Sequence, residues 1–218
     1  MSAEVRIVDY GMGNLFSVCR AFESCGGQPV LTDTASGIFS AERLVLPGVG
    51  AFRDGIEGLE QRNLLAPLRE YAKGGRPLLG ICLGMQMLFD VSEELGLYEG
   101  LGVIPGRVVA IPHVGSDGTP HKIPHIGWNQ LELFDGLPTW KGTLLEGIFP
   151  GDAVYFVHSY HAVPEYSSAR LGDTFYDGVR IAATIRSESV YGCQFHPEKS
   201  GPIGLRILRN FLQLNGCT

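Results

Sequence analysis

The sequence has no cluster of basic residues and no long apolar run. Its formal net charge is −6, with 17 Lys and Arg against 23 Asp and Glu, so it offers no positive patch for nucleic acid or anionic lipid. No stretch reaches the roughly 18 uninterrupted apolar residues of a membrane-spanning helix. The N-terminal string MSAEVRIVDYGMGNL also lacks the basic region and apolar core of a signal peptide. We therefore expect a soluble, cytoplasmic protein that binds neither nucleic acid nor membrane.

Cysteine is scarce and is not arranged in pairs. The five cysteines form no CxxC motif and no Cys/His spacing that suits zinc. An odd number of cysteines cannot all pair within one chain, so we expect reduced thiols, as in the cytoplasm. The five residues are Cys19, Cys25, Cys82, Cys193 and Cys217.

Patterns for metals and nucleotide cofactors are missing too. His113, His121 and His125 lie in or beside the segment 113–124, whose Gly, Pro, Ser and Asp content predicts an exposed loop. The prolines between these histidines and the lack of acidic partners argue against a metal site. The G-x-G string at 11–13 lacks the third glycine of a dinucleotide-binding fingerprint. We expect no metal and no cofactor.

Apolar runs alternate with helix-like stretches in the first half of the chain. Three β-rich runs are each followed by a Gly-rich turn and a helical pattern: Val5–Val8, Leu44–Leu46 and Leu78–Ile81. This alternation predicts an α/β fold with a largely parallel central sheet flanked by helices. With 218 residues, 44% apolar content and no break in composition, the chain is expected to form one domain over 1–218.

Three helices are predicted. The first runs over about 15–25 with Asn14 as its N-cap, and the last runs over 203–214. The second begins near Cys82, and its apolar face consists of Met85, Leu88 and Phe89. The second half of the chain has strand-like segments between turns, which predicts an added antiparallel section. These segments are Gly106–Ile111, Gly127–Glu132, Ala153–Tyr160, Arg180–Ser187 and Val190–Phe195.

The string RPLLGICLGMQMLF has the pattern of a nucleophile elbow. Cys82 follows an apolar strand, with Gly80 and Gly84 at the flanking positions of a G-x-nucleophile-x-G turn. The glycines would permit a sharp turn that exposes the sulfur, and the N-terminus of the next helix favours the thiolate. The backbone N–H of Leu83 would then point at a developing oxyanion. On this string alone, a small buried cysteine after a core strand is the alternative.

A matching base lies in the string YGCQFHPEKS. His196 and Glu198 are two residues apart at the end of a strand-like run, and residues i and i+2 of an extended chain face the same side. The carboxylate of Glu198 can then fix the tautomer of His196 and stabilise its imidazolium form. Alone, His196 is equally compatible with a histidine in a turn. Together with Cys82 as nucleophile, the two residues predict a Cys-His-Glu triad.

A third string, LVLPGVGAF, takes an apolar strand into a glycine-rich turn. Glycines on both sides of Val49, including Gly50, allow its peptide to adopt orientations that a branched residue resists. A backbone N–H of this turn can therefore serve an oxyanion hole. An ordinary turn at the end of a strand is the alternative.

Four strings, in their order and spacing, resemble the class I, triad-type glutamine amidotransferases: YGMGNL, LPGVGAF, GICLGMQMLF and QFHPEKS. PHIGWN and YFVHSY narrow the resemblance, which spans essentially the whole chain, to the glutaminase subunits of imidazole glycerol phosphate synthase. It implies a flavodoxin-like α/β fold and hydrolysis of glutamine to glutamate and ammonia through a thioester on Cys82, with His196 moving protons. The oxyanion is expected on the backbone of Val49 or Gly50 and of Leu83. The residues expected to hold glutamine are Gln86, Glu94, Ser159 and Tyr160.

The same resemblance implies a partner protein. A (β/α)8-barrel cyclase subunit is expected to receive the ammonia through a protected channel. It would make imidazole glycerol phosphate and an aminoimidazole carboxamide ribotide in histidine biosynthesis. The interface positions carried over from the family are Asn14, Trp128, Tyr155 and Lys199. Core packing for the two aromatic residues and a solvated charge for Lys199 are the alternatives.

Other functions stay open at this point. Paralogous glutaminases supply ammonia for amidino-sugar synthesis, and a non-catalytic docking subunit would retain the fold, although the intact triad opposes the latter. Another cysteine hydrolase on a related scaffold would have no use for PHIGWN and YFVHSY. Two features depart from the pattern of the family: the loop 113–124 is long, and His161 stands where an aromatic or basic residue is more usual.

Overall fold

The computed structural model describes residues 3–135 and 137–214, so Cys217 lies outside the described residues. Its strands are β1 (Ala3–Val8), β2 (Gly27–Thr32), β3 (Leu44–Gly48), β4 (Leu78–Cys82), β5 (Phe89–Ser92), β6 (Tyr98–Glu99), β7 (Ile104–Ala110), β8 (His125–Gln130), β9 (Glu132–Leu133), β10 (Ala153–His158), β11 (Tyr160–Pro164), β12 (Arg170–Tyr176), β13 (Val179–Ser187) and β14 (Val190–Cys193). Its helices are α1 (Leu15–Ser24), α2 (Ala35–Ser40), α3 (Phe52–Gln61), α4 (Leu65–Lys73), α5 (Leu83–Met87) and α6 (Gly201–Gln213). Two short 3-10 turns cover Ser167–Ala169 and Pro197–Lys199.

The central sheet has eight strands in the order β2-β1-β3-β4-β14-β13-β12-β9. The first five strands are parallel to one another, whereas β13, β12 and β9 each pair antiparallel with the strand before them in this order. Two smaller sheets, β11-β7-β5-β6 and β10-β8, complete the fold. The predicted α/β class, with a largely parallel central sheet and an added antiparallel section, is confirmed.

Two apolar layers cover the faces of the central sheet. Along β3, Val45 belongs to one buried cluster and its neighbours Leu44 and Leu46 to the other, because successive side chains of a strand point to opposite faces. Helices α1 and α6 contribute to the first cluster, and α3 and α4 to the second. The parallel strands are therefore covered on both sides. Among the described helices, none has the length and apolar content needed to cross a membrane.

The helix predicted to begin near Cys82 is shorter than its apolar pattern indicated. Helix α5 ends at Met87, and Phe89 begins strand β5, which pairs with β6 and β7. Met85, Leu88 and Phe89 are nevertheless all fully buried in one cluster. The apolar spacing thus indicated burial correctly, but pairing with the smaller sheet decided the backbone conformation after α5.

Most of the other predicted elements differ only at their ends, but the strand predicted over Gly127–Glu132 is divided at Leu131, because β8 pairs with β10 whereas β9 pairs with β12. Asn14 caps α1 as expected, since its side-chain oxygen accepts the backbone N–H of Ser17, and the helix ends at Ser24. The single strand predicted over 153–160 is wrong. It is divided at Ser159, because β10 pairs with β8 whereas β11 pairs with β7.

The segment 113–124 is mostly exposed, as predicted, but it is attached to the rest of the fold. Val114 and Pro120 form an isolated β-bridge across it. The ring of His121 stacks on that of Tyr176 at the end of β12, with 4.8 Å between ring centroids. The segment therefore folds back on itself and rests on the antiparallel section.

Replacement of Phe22 by alanine tests the packing of α1. The ring of Phe22 is fully buried, with its centroid 6.2 Å from that of Phe211 in α6. We expect Phe22→Ala to lower the free energy of unfolding by about 3–5 kcal/mol, because it leaves a cavity. Phe16, on the same helix, is 76% exposed, and Phe16→Ala should change that free energy by less than about 0.5 kcal/mol. Equilibrium denaturation measures both, and equal effects would contradict this packing.

Candidate active site

Cys82 lies at the junction between strand β4 and helix α5. It is the last residue of the strand, and Leu83 is the first of the helix. The backbone of Cys82 has φ +53° and ψ −109°, which a residue with a side chain rarely adopts and which is strained. Such strain is typical of the nucleophile elbow between a strand and a helix. The turn presents Cys82 to a cavity at the end of β4.

The glycines on either side of Cys82 have a different role from the one predicted. The sharp turn is made by Cys82 itself, whereas Gly80 and Gly84 allow close packing. A Cβ atom on Gly84 would lie 1.8 Å from the carbonyl oxygen of Leu46, and one on Gly80 would lie 2.7 Å from the backbone N of Met85. Only glycine fits at these two positions, because helix α5 packs directly against the backbone of the sheet.

His196 follows β14, and Glu198 lies just after it in the 3-10 turn Pro197–Lys199. A hydrogen bond to Glu198 holds the ring of His196. Its Nδ1 donates to Oε1 of Glu198 across 2.8 Å, and both side chains are 2% exposed. The carboxylate can only accept a hydrogen bond from the ring, which places a proton on Nδ1. Among the described residues Nε2 of His196 has no hydrogen-bond partner, and His196 lines the same cavity as Cys82. Nε2 is therefore the nitrogen left for chemistry.

The protonation state of His196 follows from its neighbours. Burial lowers the pKa of the ring, but the nearby sulfur of Cys82, when it is negatively charged, and the hydrogen-bonded carboxylate of Glu198 outweigh burial and raise the pKa to about 10. His196 is thus an imidazolium at neutral pH when the sulfur is negatively charged. A thiolate next to an imidazolium is the usual activated state of a cysteine nucleophile.

The cavity has a volume of about 280 Å³ and brings together most of the residues predicted from the sequence. Its lining consists of Val49, Gly50, Cys82, Leu83, Gln86, Glu94, Pro124, Val157, His158, Ser159, Tyr160 and His196. The predicted nucleophile and base, the three predicted oxyanion residues and the four predicted glutamine-binding residues are all included. Glu198 lies behind His196, outside the lining. The individual roles of these residues stay predictions.

The predicted oxyanion segment directly follows strand β3. Gly48, the last residue of that strand, pairs with Cys82 in the register of the sheet, so Val49 and Gly50 begin the loop beside the elbow. Gly50 has φ +109°, a conformation that favours glycine. The loop and the start of α5 thus both line one cavity, as an oxyanion hole requires.

Two of the predicted glutamine-binding residues are fixed by hydrogen bonds within the protein. Oε2 of Glu94 accepts the backbone N–H of Phe52 across 2.7 Å at the start of α3. The side chain of the N-cap residue of this helix makes no capping hydrogen bond. Nε2 of Gln86 donates to the carbonyl oxygen of Tyr160 across 2.9 Å and to Oε1 of Gln194 across 3.1 Å. Both side chains are therefore positioned before any ligand binds.

The sequence analysis did not identify Gln194. The residue is fully buried and stands directly after the last residue of β14. A signal was present, because a glutamine interrupts an otherwise apolar run two residues before His196.

A pair of neutral histidines includes one residue of the cavity lining, His158. Nδ1 of His158 donates to the carbonyl oxygen of Tyr160, which leaves Nε2 of His158 to accept from Nδ1 of His125 at 3.0 Å. Burial is the main reason that the pKa of His158 is lowered to about 3 and that of His125 to about 4. Both rings are uncharged at neutral pH, in contrast to His196.

The four predicted interface residues lie outside the cavity lining. Trp128 is 58% exposed and pairs across β8 and β10 with Tyr155, with 6.1 Å between their ring centroids. Core packing is therefore the wrong alternative for Trp128. Lys199 is exposed, and Asn14 also caps α1. Contact of these residues with a partner stays a prediction.

Two of the three histidines considered for a metal site, His121 and His125, have other partners. Nδ1 of His121 contacts the carboxylate of Asp177 at 3.1 Å, and the ring of His125 stacks between those of Phe156 and Tyr176. Within residues 3–135 and 137–214, no group of three or more histidine, cysteine and acidic side chains is arranged to hold a metal ion. His161 is buried, and burial is the main reason that its pKa is lowered to about 4.

The neutral state of His158 predicts a pH dependence of stability. Its folded-state pKa of about 3 lies below the ordinary 6.5, so below about pH 6.5 the unfolded chain binds a proton that the folded chain does not. We expect the free energy of unfolding to fall from pH 7 to pH 5, with about 2 kcal/mol of the loss due to His158. His158→Gln should reduce the loss by that amount in denaturation experiments, whereas the exposed-site control His113→Gln should not. An unchanged loss in His158→Gln would contradict a neutral His158.

Glu198→Gln tests the charge interaction that keeps His196 protonated. The variant removes a negative charge and preserves the shape of the side chain, so the pKa of His196 should fall from about 10 by about 1–3 units. Titration of the His196 ring by NMR measures the change directly. Glu60→Gln at an exposed position is the control, and an unchanged titration in Glu198→Gln would refute the contribution of Glu198 to this raised pKa, which it shares with Cys82.

Comparison with known proteins agrees with this geometry. The family model described as "Glutamine amidotransferase class-I" matches residues 6–214. Imidazole glycerol phosphate synthase subunit HisH 1 of Legionella pneumophila (strain Lens) is 52% identical over 212 residues, which cover 97% of this chain and 100% of the relative. The HisH subunit of Geobacillus sp. (strain WCH70) is 46% identical, with 96% of each chain covered.

Solved structures support the same fold. A crystal structure described as a glutamine amidotransferase superimposes with a TM-score of 0.71 at 17% identity, covering 96% of this chain and 97% of the other. The structure of PurLQS from Thermotoga maritima has a TM-score of 0.67 at 21% identity, with 98% of this chain and 99% of the other covered. At these identities the likeness concerns the fold alone. Because the family model and the HisH relatives both match nearly the whole chain, the chain belongs to the class I glutamine amidotransferase family.

Proposed function

We propose that this chain hydrolyses glutamine to glutamate and ammonia, as the glutaminase subunit of imidazole glycerol phosphate synthase. The observation that carries the proposal is a cavity shared by Cys82 and His196, with His196 bonded to Glu198 at 2.8 Å. At about 280 Å³ the cavity is at the small end of ligand sites and suits a substrate of amino-acid size. The HisH relatives support the choice of pathway.

The first half of the reaction forms a thioester. The sulfur of Cys82 attacks the side-chain amide carbon of glutamine, so a C–S bond forms and the amide oxygen becomes an oxyanion. The backbone N–H of Leu83 and one from Val49 or Gly50 donate to this oxyanion. When the C–N bond breaks, the imidazolium of His196 transfers its Nε2 proton to the leaving nitrogen and ammonia is released.

The second half of the reaction restores the enzyme. His196, now neutral, takes a proton from water while the water oxygen attacks the thioester carbon. Collapse of the second oxyanion breaks the C–S bond and returns Cys82 as a thiolate, with glutamate as the product. Glu198 keeps the ring of His196 in one tautomer and stabilises its charged form throughout.

The remaining lining residues suit the α-amino-acid end of the substrate. We infer that Gln86, Glu94, Ser159 and Tyr160 hold glutamine, since all four line the cavity that contains Cys82. The negative charge of Glu94 matches the α-ammonium group of an amino acid. The internal hydrogen bonds of Gln86 and Glu94 keep these groups in place, which lowers the entropy that binding has to overcome.

The chemistry of ammonia supports a partner protein that receives it. At neutral pH free ammonia in water is mostly protonated and loses its nucleophilic lone pair. We infer that the product passes through a protected channel to a (β/α)8-barrel cyclase subunit in a heterodimer. The proposed contact surface consists of the exposed Trp128 and the half-buried Tyr155, together with Asn14 and Lys199. Trp128 and Tyr155 are neighbours across β8 and β10, with 6.1 Å between their ring centroids, so part of this set is contiguous.

The cellular setting is also inferred. We place the protein in the cytoplasm, where free thiols persist; Cys19, Cys25, Cys82 and Cys193 are all unpaired in the described part of the chain. One domain over 1–218 that needs neither metal nor cofactor remains our expectation. Two other functions, ammonia supply for amidino-sugar synthesis and non-catalytic docking, are outcomes of the next experiment.

The function is tested by glutamate release from glutamine. We expect the purified chain alone to be nearly inactive, because the Val49 peptide does not complete the oxyanion hole until the cyclase and its ribonucleotide ligand are bound. Strong stimulation by the liganded cyclase should disappear in Cys82→Ala, which lacks the nucleophile, and persist in Cys19→Ala, which changes a cysteine on α1 outside the cavity lining.

Three outcomes would change the conclusion. Substantial activity of the chain alone would refute the proposed dependence on the partner. Absence of turnover with the liganded cyclase would favour the amidino-sugar paralogue. Failure of a cysteine-directed glutamine analogue to label Cys82 would favour the non-catalytic docking subunit.

A further inference from the structure

Gln194 is a buried polar residue beside the nucleophile, and the reaction described above gives it no role. It is fully buried and is not part of the cavity lining. Its Nε2 atom lies 3.8 Å from the sulfur of Cys82, a hydrogen-bond distance for sulfur. A buried amide normally has its hydrogen-bonding groups satisfied, and here one of the partners is the reacting atom.

The direction of this hydrogen bond is determined by a backbone carbonyl. The oxygen of Tyr160 can only accept, so the amide group of Gln86 that lies 2.9 Å from it must be NH2. The same NH2 lies 3.1 Å from Gln194, which must therefore present its oxygen to Gln86. It follows that the NH2 of Gln194 faces Cys82 and donates to the sulfur.

We propose that Gln194 is a positioning residue for Cys82, whose amide N–H holds the sulfur and favours its negatively charged form. The proposal adds a residue role to the glutaminase function proposed above. Its expected effect on turnover rests on that function. Gln194 does not touch the substrate in this role. It acts through the nucleophile, and Gln86 and the carbonyl of Tyr160 keep its amide in the required orientation.

The sulfur of Cys82 has two competing partners. As a thiol it can donate its proton to the carbonyl oxygen of Val157, which lies 4.0 Å away. As a thiolate it can accept from Gln194, and an anion is a stronger acceptor than a neutral thiol. A donor that bonds better to the charged form shifts the equilibrium towards that form, and the effect is greater in a buried site. Gln194 thus opposes Val157 and acts in the same direction as His196.

Gln194→Met removes the donor at similar side-chain volume. We expect the pH midpoint for alkylation of Cys82 by iodoacetamide to rise by about one pH unit, which lowers the alkylation rate about tenfold below the midpoint. Mass spectrometry of the peptide that contains Cys82 distinguishes it from the other cysteines. Gln61→Met, at an exposed position in α3, is the matched control and should leave the midpoint unchanged.

Gln194→Glu is a second variant, for the case that the methionine variant does not fold. It keeps an oxygen for Gln86 but places a carboxylate beside the sulfur, so the midpoint should rise further than with methionine. Circular dichroism establishes that each variant is folded. A midpoint equal to that of the wild-type chain, in a folded variant of either kind, overturns the proposal.

The effect on turnover separates this proposal from the function itself. With the cyclase subunit present, Gln194→Met should lower kcat for glutamine hydrolysis about tenfold. KM should change little, because Gln194 lies outside the cavity lining and Gln86, which loses its bond to Gln194, keeps its hydrogen bond to the carbonyl oxygen of Tyr160. A large rise in KM with kcat unchanged would overturn the positioning role. Alkylation requires neither glutamine nor a partner. If the wild-type chain has no glutaminase activity but Gln194→Met still shifts the pH midpoint for alkylation, the proposed function is refuted and the role of Gln194 is retained.

Discussion

The position of the nucleophile depends on one close contact, that of helix α5 with strands β3 and β4. A Cβ atom on Gly84 of α5 would lie 1.8 Å from the carbonyl oxygen of Leu46 in β3, and one on Gly48 of β3 would lie 2.9 Å from the Cβ atom of Leu83 in α5. Since no side chain fits at this contact, the helix starts directly after β4 and Cys82 takes the strained backbone conformation with φ +53°. Packing energy in the core thus maintains strain at the reacting residue.

The order of strands in the sheet assembles the rest of the site. Strands β3, β4 and β14 are parallel neighbours, so their carboxyl ends meet at one edge, where α/β proteins bind ligands. Val49 follows the first, Cys82 ends the second and His196 follows the third. The predicted oxyanion loop, nucleophile and base, which are distant in the sequence, therefore share one cavity.

Neighbouring groups, and not burial alone, determine the protonation state of each buried histidine. His196 and His158 are both almost completely buried, yet the pKa of His196 is raised to about 10 and that of His158 is lowered to about 3. The carboxylate of Glu198, and the sulfur of Cys82 when it is negatively charged, favour the protonated ring of His196. His158 instead contacts a carbonyl oxygen and the neutral His125. The site therefore contains one charged histidine that can donate a proton, beside histidines that stay neutral.

The sequence by itself determined the class of fold and the candidate triad, because each string that carries them spans only a few residues, although the strings are far apart in the chain. The alternation of apolar runs, the G-x-C-x-G elbow and the His-x-Glu spacing are local patterns, and the structure brings Cys82 and His196 into one cavity. Only the tertiary structure decided where α5 ends, that Trp128 is exposed, and that Gln194 faces the sulfur. Gln86 and Gln194 are 108 residues apart, and their orientation follows from the carbonyl of Tyr160. Hydrogen bonds between residues so far apart are determined by packing across the sheet, and no local sequence pattern predicts them.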